Sequence, residues 1–114
     1  MENLLIVVNA SPYGSERCLS ALRLALALTQ QPCRLQLFLL SDAVVVAQSG
    51  QQAQPMALGA MLQELLEQGV AVSACRTCTD ARGVSEDRLL AGVRIETMQE
   101  LAAAMLAADK VLSF

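Results

Sequence analysis

Short apolar runs of strand character alternate with segments of helical periodicity along most of this 114-residue chain. The first run, residues 4–8, is continuously apolar and rich in β-branched side chains, which is typical of a strand buried on both faces of a parallel sheet. Further strands are predicted over residues 33–40, 70–74 and 110–114. This alternation predicts a single α/β domain over residues 1–114, with helices layered against a largely parallel sheet.

Apolar spacing and capping residues locate the first two helices. Residues 18–29 are apolar nearly all round and follow a loop in which Ser15 is the expected N-cap. A second helix is predicted to begin after Pro55 and to end at Gly69. Between them, residues 44–47 are predicted to form a short helix or strand.

The later elements are shorter and depend more on local signals. Residues 48–55 are polar and show neither helical nor strand periodicity, which indicates a loop. Residues 85–90 favour a short helix. Thr97 and Glu100 form a capping-box signature before a final helix that is predicted to end near Ala108. A brief strand or turn precedes that signature.

The composition argues for subunit association and against nucleic acid as a partner. Hydrophobic residues make up 54% of the chain and charged residues only 17%, so part of the apolar surface is expected to face another subunit in a homo-oligomer. The net charge of −3 offers no basic field for a phosphate backbone, and one Tyr and two Phe offer little stacking surface. We expect no nucleic-acid partner.

The chain carries no signal for a membrane or for export. It has no run of about 20 apolar residues that could span a bilayer, and its first residues lack the basic flank of a signal peptide. We therefore expect no membrane partner and a cytoplasmic location. There the four cysteines, Cys18, Cys33, Cys75 and Cys78, are expected to stay reduced and to serve redox, sulfur or metal chemistry or simple packing.

The segment of residues 75–83, CRTCTDARG, is the strongest candidate for chemistry. It pairs Cys75 with Cys78 and begins where the apolar run of the third strand stops. Sulfur chemistry requires a thiolate, which nearby guanidinium groups and unpaired N–H groups at the start of a helix both favour. Arg82 and the local N–H groups are therefore expected to lower the pKa of the Cys75 thiol.

Several functions compete for this cysteine pair. A closed zinc site requires four ligands and, since the chain has no histidine, would need a pair from each of two subunits. Thioredoxin-type exchange expects the motif earlier in the chain and at the start of a long helix. Sulfur transfer needs one nucleophilic thiolate that is exposed, flexible and close to positive charge. Simple burial is the structural alternative, which we expect for Cys18 and Cys33.

The carboxyl ends of parallel strands are where ligands gather in open sheets. Tyr13 and Ser15 lie in the loop after the first strand, and Cys75 lies at the end of the third. If these two strands are neighbours, the three side chains line one pocket, with Asp42 after the second strand at its edge. The alternative is that the loop of residues 11–15 is only a turn and a helix cap.

The chain resembles the DsrE/DsrF-like family and, within it, the small YchN-like members. The resemblance covers nearly the whole chain and rests on five segments: residues 10–16 (ASPYGSE), 22–28 (LRLALAL), 38–44 (FLLSDAV), 75–84 (CRTCTDARGV) and 108–114 (ADKVLSF). It implies a three-layer α/β sandwich with a five-stranded, mostly parallel sheet. It also implies a compact homo-oligomer, commonly a trimer or a hexamer.

The resemblance further implies a role in sulfur relay. The relay members of the family carry persulfide sulfur on a cysteine directly after the third strand and ahead of an Arg-Gly-Val, which matches Cys75 and the arginine at Arg82. Cys78 has no counterpart in some of these members, so three roles stay open for it: to resolve a persulfide, to assist as an accessory group, or to take no part. We therefore predict a persulfide carrier, a possible sulfurtransferase with donor and acceptor protein partners and no metal or cofactor. The alternative is a non-catalytic oligomeric binding module with incidental cysteines.

Overall fold

Five parallel strands form the central sheet of a computed structural model that describes residues 1–50 and 57–114. The strands are β1 (Glu2–Val8), β2 (Cys33–Leu39), β3 (Ala71–Cys75), β4 (Arg94–Glu96) and β5 (Lys110–Ser113). The helices are α1 (Arg17–Leu28), α2 (Leu58–Glu67), α3 (Arg76–Ala81) and α4 (Met98–Ala107). The sheet order is β4-β3-β2-β1-β5, and every neighbouring pair is parallel. The predicted α/β class and five-stranded sheet are confirmed.

The two faces of the sheet carry different layers. Alternate side chains of β1 point to opposite faces, so that Ile6 joins a large apolar core with α1 and α2, whereas Leu5 joins a smaller cluster on the other face. Leu101 of α4 belongs to that smaller cluster, which also contains Cys75. The fold is thus a three-layer sandwich, and the candidate cysteine lies on the face that α4 covers.

Most of the predicted helices are confirmed. Thr97 and Glu100 form the predicted capping box, with the Thr97 N–H donating to Glu100 Oε1 at 2.9 Å, and α4 follows directly. Gly69 adopts a φ of +86° just after α2, as its predicted role in ending that helix requires. The N-cap position of α1 is occupied by Glu16 rather than Ser15, although the Ser15 hydroxyl accepts a hydrogen bond from the Arg17 N–H at 3.4 Å.

The shorter elements become clear only in three dimensions. Residues 44–47 belong to a 3₁₀ helix, Ser41–Ala47, and the short helix predicted at residues 85–90 is a single 3₁₀ turn, Glu86–Arg88. Within the predicted loop of residues 48–55, Gln48 forms an antiparallel bridge with Leu89, and residues 51–55 lie outside the described residues. The brief strand or turn predicted before the capping box, at residues 93–95, overlaps β4 (Arg94–Glu96). None of the helices described is long and apolar enough to cross a membrane.

Cys18 gives a test of this packing. It is fully buried in α1, and burial raises the pKa of its thiol from 9.0 to about 11. The unfolded chain loses the Cys18 thiol proton at a lower pH than the folded chain does. The free energy of unfolding should therefore keep its full value below pH 9.0 and should fall by about 2 kcal/mol as the pH rises toward 11. Denaturant unfolding across this pH range should show a steep loss for wild type and a shallower loss for Cys18→Ala. Equal slopes would contradict burial of this thiol.

Candidate functional site

Cys75 is the last residue of β3, and α3 begins at the next residue. Its side chain points to the α4 face of the sheet, where it packs in the cluster that contains Val7, Phe38 and Leu101. The residue is only 1% exposed, so the expectation of an exposed nucleophile is wrong. A strand that is sandwiched between neighbours and covered by a helix buries even its terminal side chain.

The surroundings of the sulfur are nevertheless polar on one side. Sγ lies 3.2 Å from the hydroxyl oxygen of Thr77. Cys75 occupies the N-cap position of α3, and its side chain makes no capping hydrogen bond there. The N–H groups of Thr77 and Cys78 are nearby dipoles whose positive ends favour the thiolate. Thr77 itself is exposed, so the sulfur is in contact with a side chain that reaches the surface.

These groups decide the ionisation of the thiol. Burial is the largest single influence and raises the pKa of Cys75. The Thr77 hydroxyl, the N–H and thiol of Cys78 and the Thr77 N–H act in the opposite direction and together outweigh burial, so the pKa lies below its ordinary value. The pKa of the Cys75 thiol is therefore lowered, as predicted, and the groups that lower it lie in the first turn of α3.

Arg82 acts elsewhere than predicted. Its Nε donates to Asp42 Oδ1 at 3.0 Å, and its two terminal nitrogens donate to the Cys78 carbonyl at 3.2 Å and to the Ser41 hydroxyl at 3.4 Å. The guanidinium thus joins the end of α3 to the segment that follows β2. Ser41 has a φ of +53°, an uncommon backbone conformation for a residue other than glycine. Arg82 and Asp42 fix the position of α3 beside Cys75, which is a positioning role.

The loop after β1 is placed differently from the prediction. Strands β1 and β3 are not neighbours, because β2 lies between them, so the condition for the predicted shared pocket is not met. The Tyr13 N–H donates to the Ser11 hydroxyl at 3.0 Å, and the hydroxyl of Ser15 accepts from the start of α1. Of the predicted site residues, the structure therefore joins Asp42, Cys78 and Arg82 to the Cys75 segment.

The prediction overlooked three residues around Cys75. Thr77 supplies the hydroxyl in contact with it, Ser73 lies two residues earlier on the same sheet face, and Glu96 pairs in register with Cys75. The period of two along a strand would have indicated Ser73. Glu96 could not have been found in this way, since its place depends on the pairing of β4 with β3.

The other two cysteines have packing roles. Cys18 is fully buried in the large core, and Cys33 is half-buried with its thiol donating to the Leu28 carbonyl at 3.4 Å. All four cysteines are free thiols. Across residues 1–50 and 57–114, no group of three or more His, Cys, Asp or Glu side chains is arranged to hold a metal ion.

Thr77 should control the ionisation of Cys75. Thr77→Val keeps the shape but removes the hydroxyl, so the pKa of Cys75 should rise and alkylation near neutral pH should slow by roughly five- to tenfold. Thr77→Ser, which retains the hydroxyl, is the matched control and should stay close to wild type. The pH dependence of alkylation at Cys75, followed by peptide mass spectrometry, measures both. Coincident pH profiles for the two variants would show that the hydroxyl has no such effect.

Comparison with known proteins shows a full-length relationship. The model of the DsrE/DsrF-like family matches residues 2–114. Protein YchN of Escherichia coli K12 is 47% identical over 117 residues, with all of both chains covered. An uncharacterized protein of Methanopyrus kandleri is 35% identical over 113 residues, which cover 97% of this chain and 93% of that protein.

Solved structures agree in fold. The crystal structure of the ychN protein from E. coli superposes with a TM-score of 0.94 at 47% identity, with both chains covered completely. A protein of unknown function from Methanobacterium thermoautotrophicum superposes with a TM-score of 0.82 at 18% identity, also over both complete chains. The second likeness concerns the fold alone.

Proposed function

This chain belongs to the DsrE/DsrF-like family, and on that premise we propose that Cys75 carries sulfane sulfur as a persulfide and passes it to a partner. The observation that carries the proposal is the polar contact of the Cys75 sulfur with Thr77 and the first turn of α3, which lowers the thiol pKa in spite of burial. A structural cysteine buried without such groups behaves like Cys18, whose pKa is raised.

The reaction is an exchange of sulfur between thiols. The Cys75 thiolate attacks the outer sulfur of a donor persulfide, a new S–S bond forms at Cys75, the donor's S–S bond breaks, and the donor leaves as a thiol after taking up a proton. An acceptor thiolate then attacks the outer sulfur on Cys75 and releases the Cys75 thiolate again. No net oxidation or reduction occurs over the two steps.

The local geometry supports both storage and control of that sulfur. The exposed Thr77 is in contact with the Cys75 sulfur, so we expect donor and acceptor to approach the sulfur past this side chain. Exclusion of water and oxidants protects a bound persulfide from loss. The Cys78 thiol faces Cys75 and assists by stabilising negative charge on its sulfur.

We also propose that the protein acts as a homo-oligomer, a trimer or hexamer, in the cytoplasm, where its free cysteines stay reduced. Apolar side chains at the α4–β5 surface support association. They are Met98 (56% exposed), Met105 (40%), Leu106 (90%), Val111 (42%) and Leu112 (36%). On β5, Val111 pairs with Leu5 and so lies on the α4 side of the sheet, whereas Leu112 pairs with Ile6 on the other side. Exposed apolar side chains are typical of protein–protein contacts.

One observation favours a second candidate, a non-catalytic oligomeric binding module. Cys75 is 1% exposed, and a thiol that never becomes accessible would be incidental. In that case the protein would bind a partner or ligand without sulfur chemistry.

Incubation with a sulfane donor separates the two candidates. Intact-protein mass spectrometry should show a gain of one sulfur atom, and peptide mapping should place it on Cys75. Addition of a low-molecular-weight thiol should remove it, with formation of that thiol's persulfide. A protein that gains no sulfur while Cys75 resists alkylation in the native state would support the binding module instead.

A further inference from the structure

Cys75 and Cys78 share the first turn of α3 at a spacing that a disulfide can span. Cys75 is the N-cap residue, and Cys78 is the third residue of the helix. The Cα atoms of residues three apart along a helix are separated by about 5 Å, and disulfides join Cα atoms about 4.4–6.8 Å apart. The backbone therefore needs no rearrangement for the two sulfurs to form a bond.

Packing and hydrogen bonds hold this turn in place. Cys78 is half-buried and packs against the smaller apolar cluster that contains Cys75. The fully buried Thr79 donates its hydroxyl to the Arg76 carbonyl at 2.9 Å, and Arg82 donates to the Cys78 carbonyl at 3.2 Å. The two cysteine side chains are therefore confined to the same region of the folded chain.

A persulfide on Cys75 has two sulfurs that a thiolate can attack, and the products differ. An acceptor that attacks the outer sulfur takes it away as a persulfide. A thiolate that attacks the inner sulfur, Sγ of Cys75, forms a disulfide with it, and the outer sulfur leaves with the electron pair of the broken S–S bond as hydrosulfide. The two thiol sulfurs are then oxidised and the sulfane sulfur is reduced, so the loaded sulfur is itself the oxidant.

Cys78 is the thiol best placed for the second reaction. It is fixed one helical turn from Cys75, and a reacting group held in this way acts at an effective concentration far above that of a free thiol. An acceptor must instead diffuse to the protein and approach past the exposed Thr77. Attack by Cys78 should therefore prevail when acceptor is scarce.

From this placement we propose that Cys78 resolves the Cys75 persulfide when no acceptor arrives, so that the protein has a second activity, the release of hydrogen sulfide. The inference rests on the proposed sulfur-carrier function of Cys75. The product is a Cys75–Cys78 disulfide, and a small thiol or a dithiol protein reduces it through the half-buried Cys78. Over one cycle, a donor persulfide and two thiols give the donor thiol, hydrogen sulfide and a disulfide.

Oxidation by glutathione disulfide tests the cysteine pair independently of sulfur transfer. Glutathione should first form a mixed disulfide at the half-buried Cys78, and the Cys75 thiolate should then displace it. Alkylation of the remaining thiols and peptide mass spectrometry should show a Cys75–Cys78 disulfide as the main product. A mixed disulfide that persists on Cys78 while Cys75 stays reduced would show that the two sulfurs cannot meet, and would overturn the proposal.

The fate of the loaded sulfur provides the second measurement. After loading from inorganic polysulfide and removal of the excess, the wild-type mass should fall from one extra sulfur atom to two hydrogen atoms below the reduced protein, with one sulfide released for each disulfide formed. Cys78→Ser keeps a hydroxyl beside Cys75 but no nucleophilic sulfur, and it should retain the extra sulfur at least roughly tenfold longer. Cys33→Ala, which removes a thiol of the large core, is the matched control and should decay like wild type.

The outcomes separate this proposal from the carrier function. Equal persistence of the extra sulfur in wild type and Cys78→Ser would overturn the role of Cys78. So would an extra sulfur that peptide mapping finds on Cys78, because the attack would then have occurred at the outer sulfur. A protein that forms the Cys75–Cys78 disulfide with glutathione but gains no sulfur from polysulfide would overturn the carrier function, and would leave only the paired dithiol.

Discussion

Replacing Cys75 by alanine should abolish sulfur uptake, with loading from a sulfane donor falling by at least about 10²-fold, because the nucleophile that forms the new S–S bond is gone. The change should leave the fold intact. Cys75 lies at the end of β3 in the smaller apolar cluster, and alanine retains a compact apolar side chain there. The measurement is the fraction of protein that carries one extra sulfur atom, by intact mass, against time.

The remaining cysteines supply matched controls for this experiment. Cys33→Ala removes a half-buried thiol that bonds to the Leu28 carbonyl, and it should load at the wild-type rate. Cys78→Ala removes a group that lowers the Cys75 pKa, and it should load more slowly without losing the reaction. Sulfur gain that persists in Cys75→Ala would assign the chemistry to another cysteine, and the proposed carrier role of Cys75 would be withdrawn.

Substitution of Leu106 by glutamate should convert the proposed homo-oligomer to monomers of 12.1 kDa. Leu106 is 90% exposed on α4, and Met105, the preceding residue of the same helix, is 40% exposed. A carboxylate at the centre of such a contact would have to be desolvated without a partner, which is strongly unfavourable. Multi-angle light scattering at fixed protein concentration measures the effect.

An equivalent charge elsewhere controls for a nonspecific effect. Ser20→Glu adds the same charge at an exposed position of α1, on the opposite layer of the sandwich, and should leave the mass unchanged. If Leu106→Glu keeps the wild-type mass, the α4–β5 surface is not the subunit contact. A wild-type mass of one chain would overturn the oligomer itself.

Local interactions made much of this fold predictable. The β-branched run that forms β1, the capping box before α4 and the glycine after α2 each depend on residues close together in the chain. Cys75 could be singled out for the same reason, since the end of an apolar run and the start of a helix are both visible in the sequence.

Other features depended on contacts between distant segments. The predicted pocket of Tyr13, Ser15 and Cys75 required β1 to lie beside β3. In the folded chain β2 lies between these two strands. Hydrophobic periodicity could not indicate this, because it is the same for any strand order. Arg82 was expected at the thiolate, but Asp42 lies nearer to its guanidinium once β2 and α3 meet.

The sequence by itself therefore determined the strands β1, β2, β3 and β5, the helices α1, α2 and α4, the family and the cysteine segment, because periodicity, capping and turn preferences act over a few residues. Only the tertiary structure decided that Cys75 is buried, that Thr77 and the turn around it tune its ionisation, and that Glu96 stands beside it. These properties arise from strand order, register and layer packing. Each of these is determined by many weak contacts between residues that are far apart in the chain.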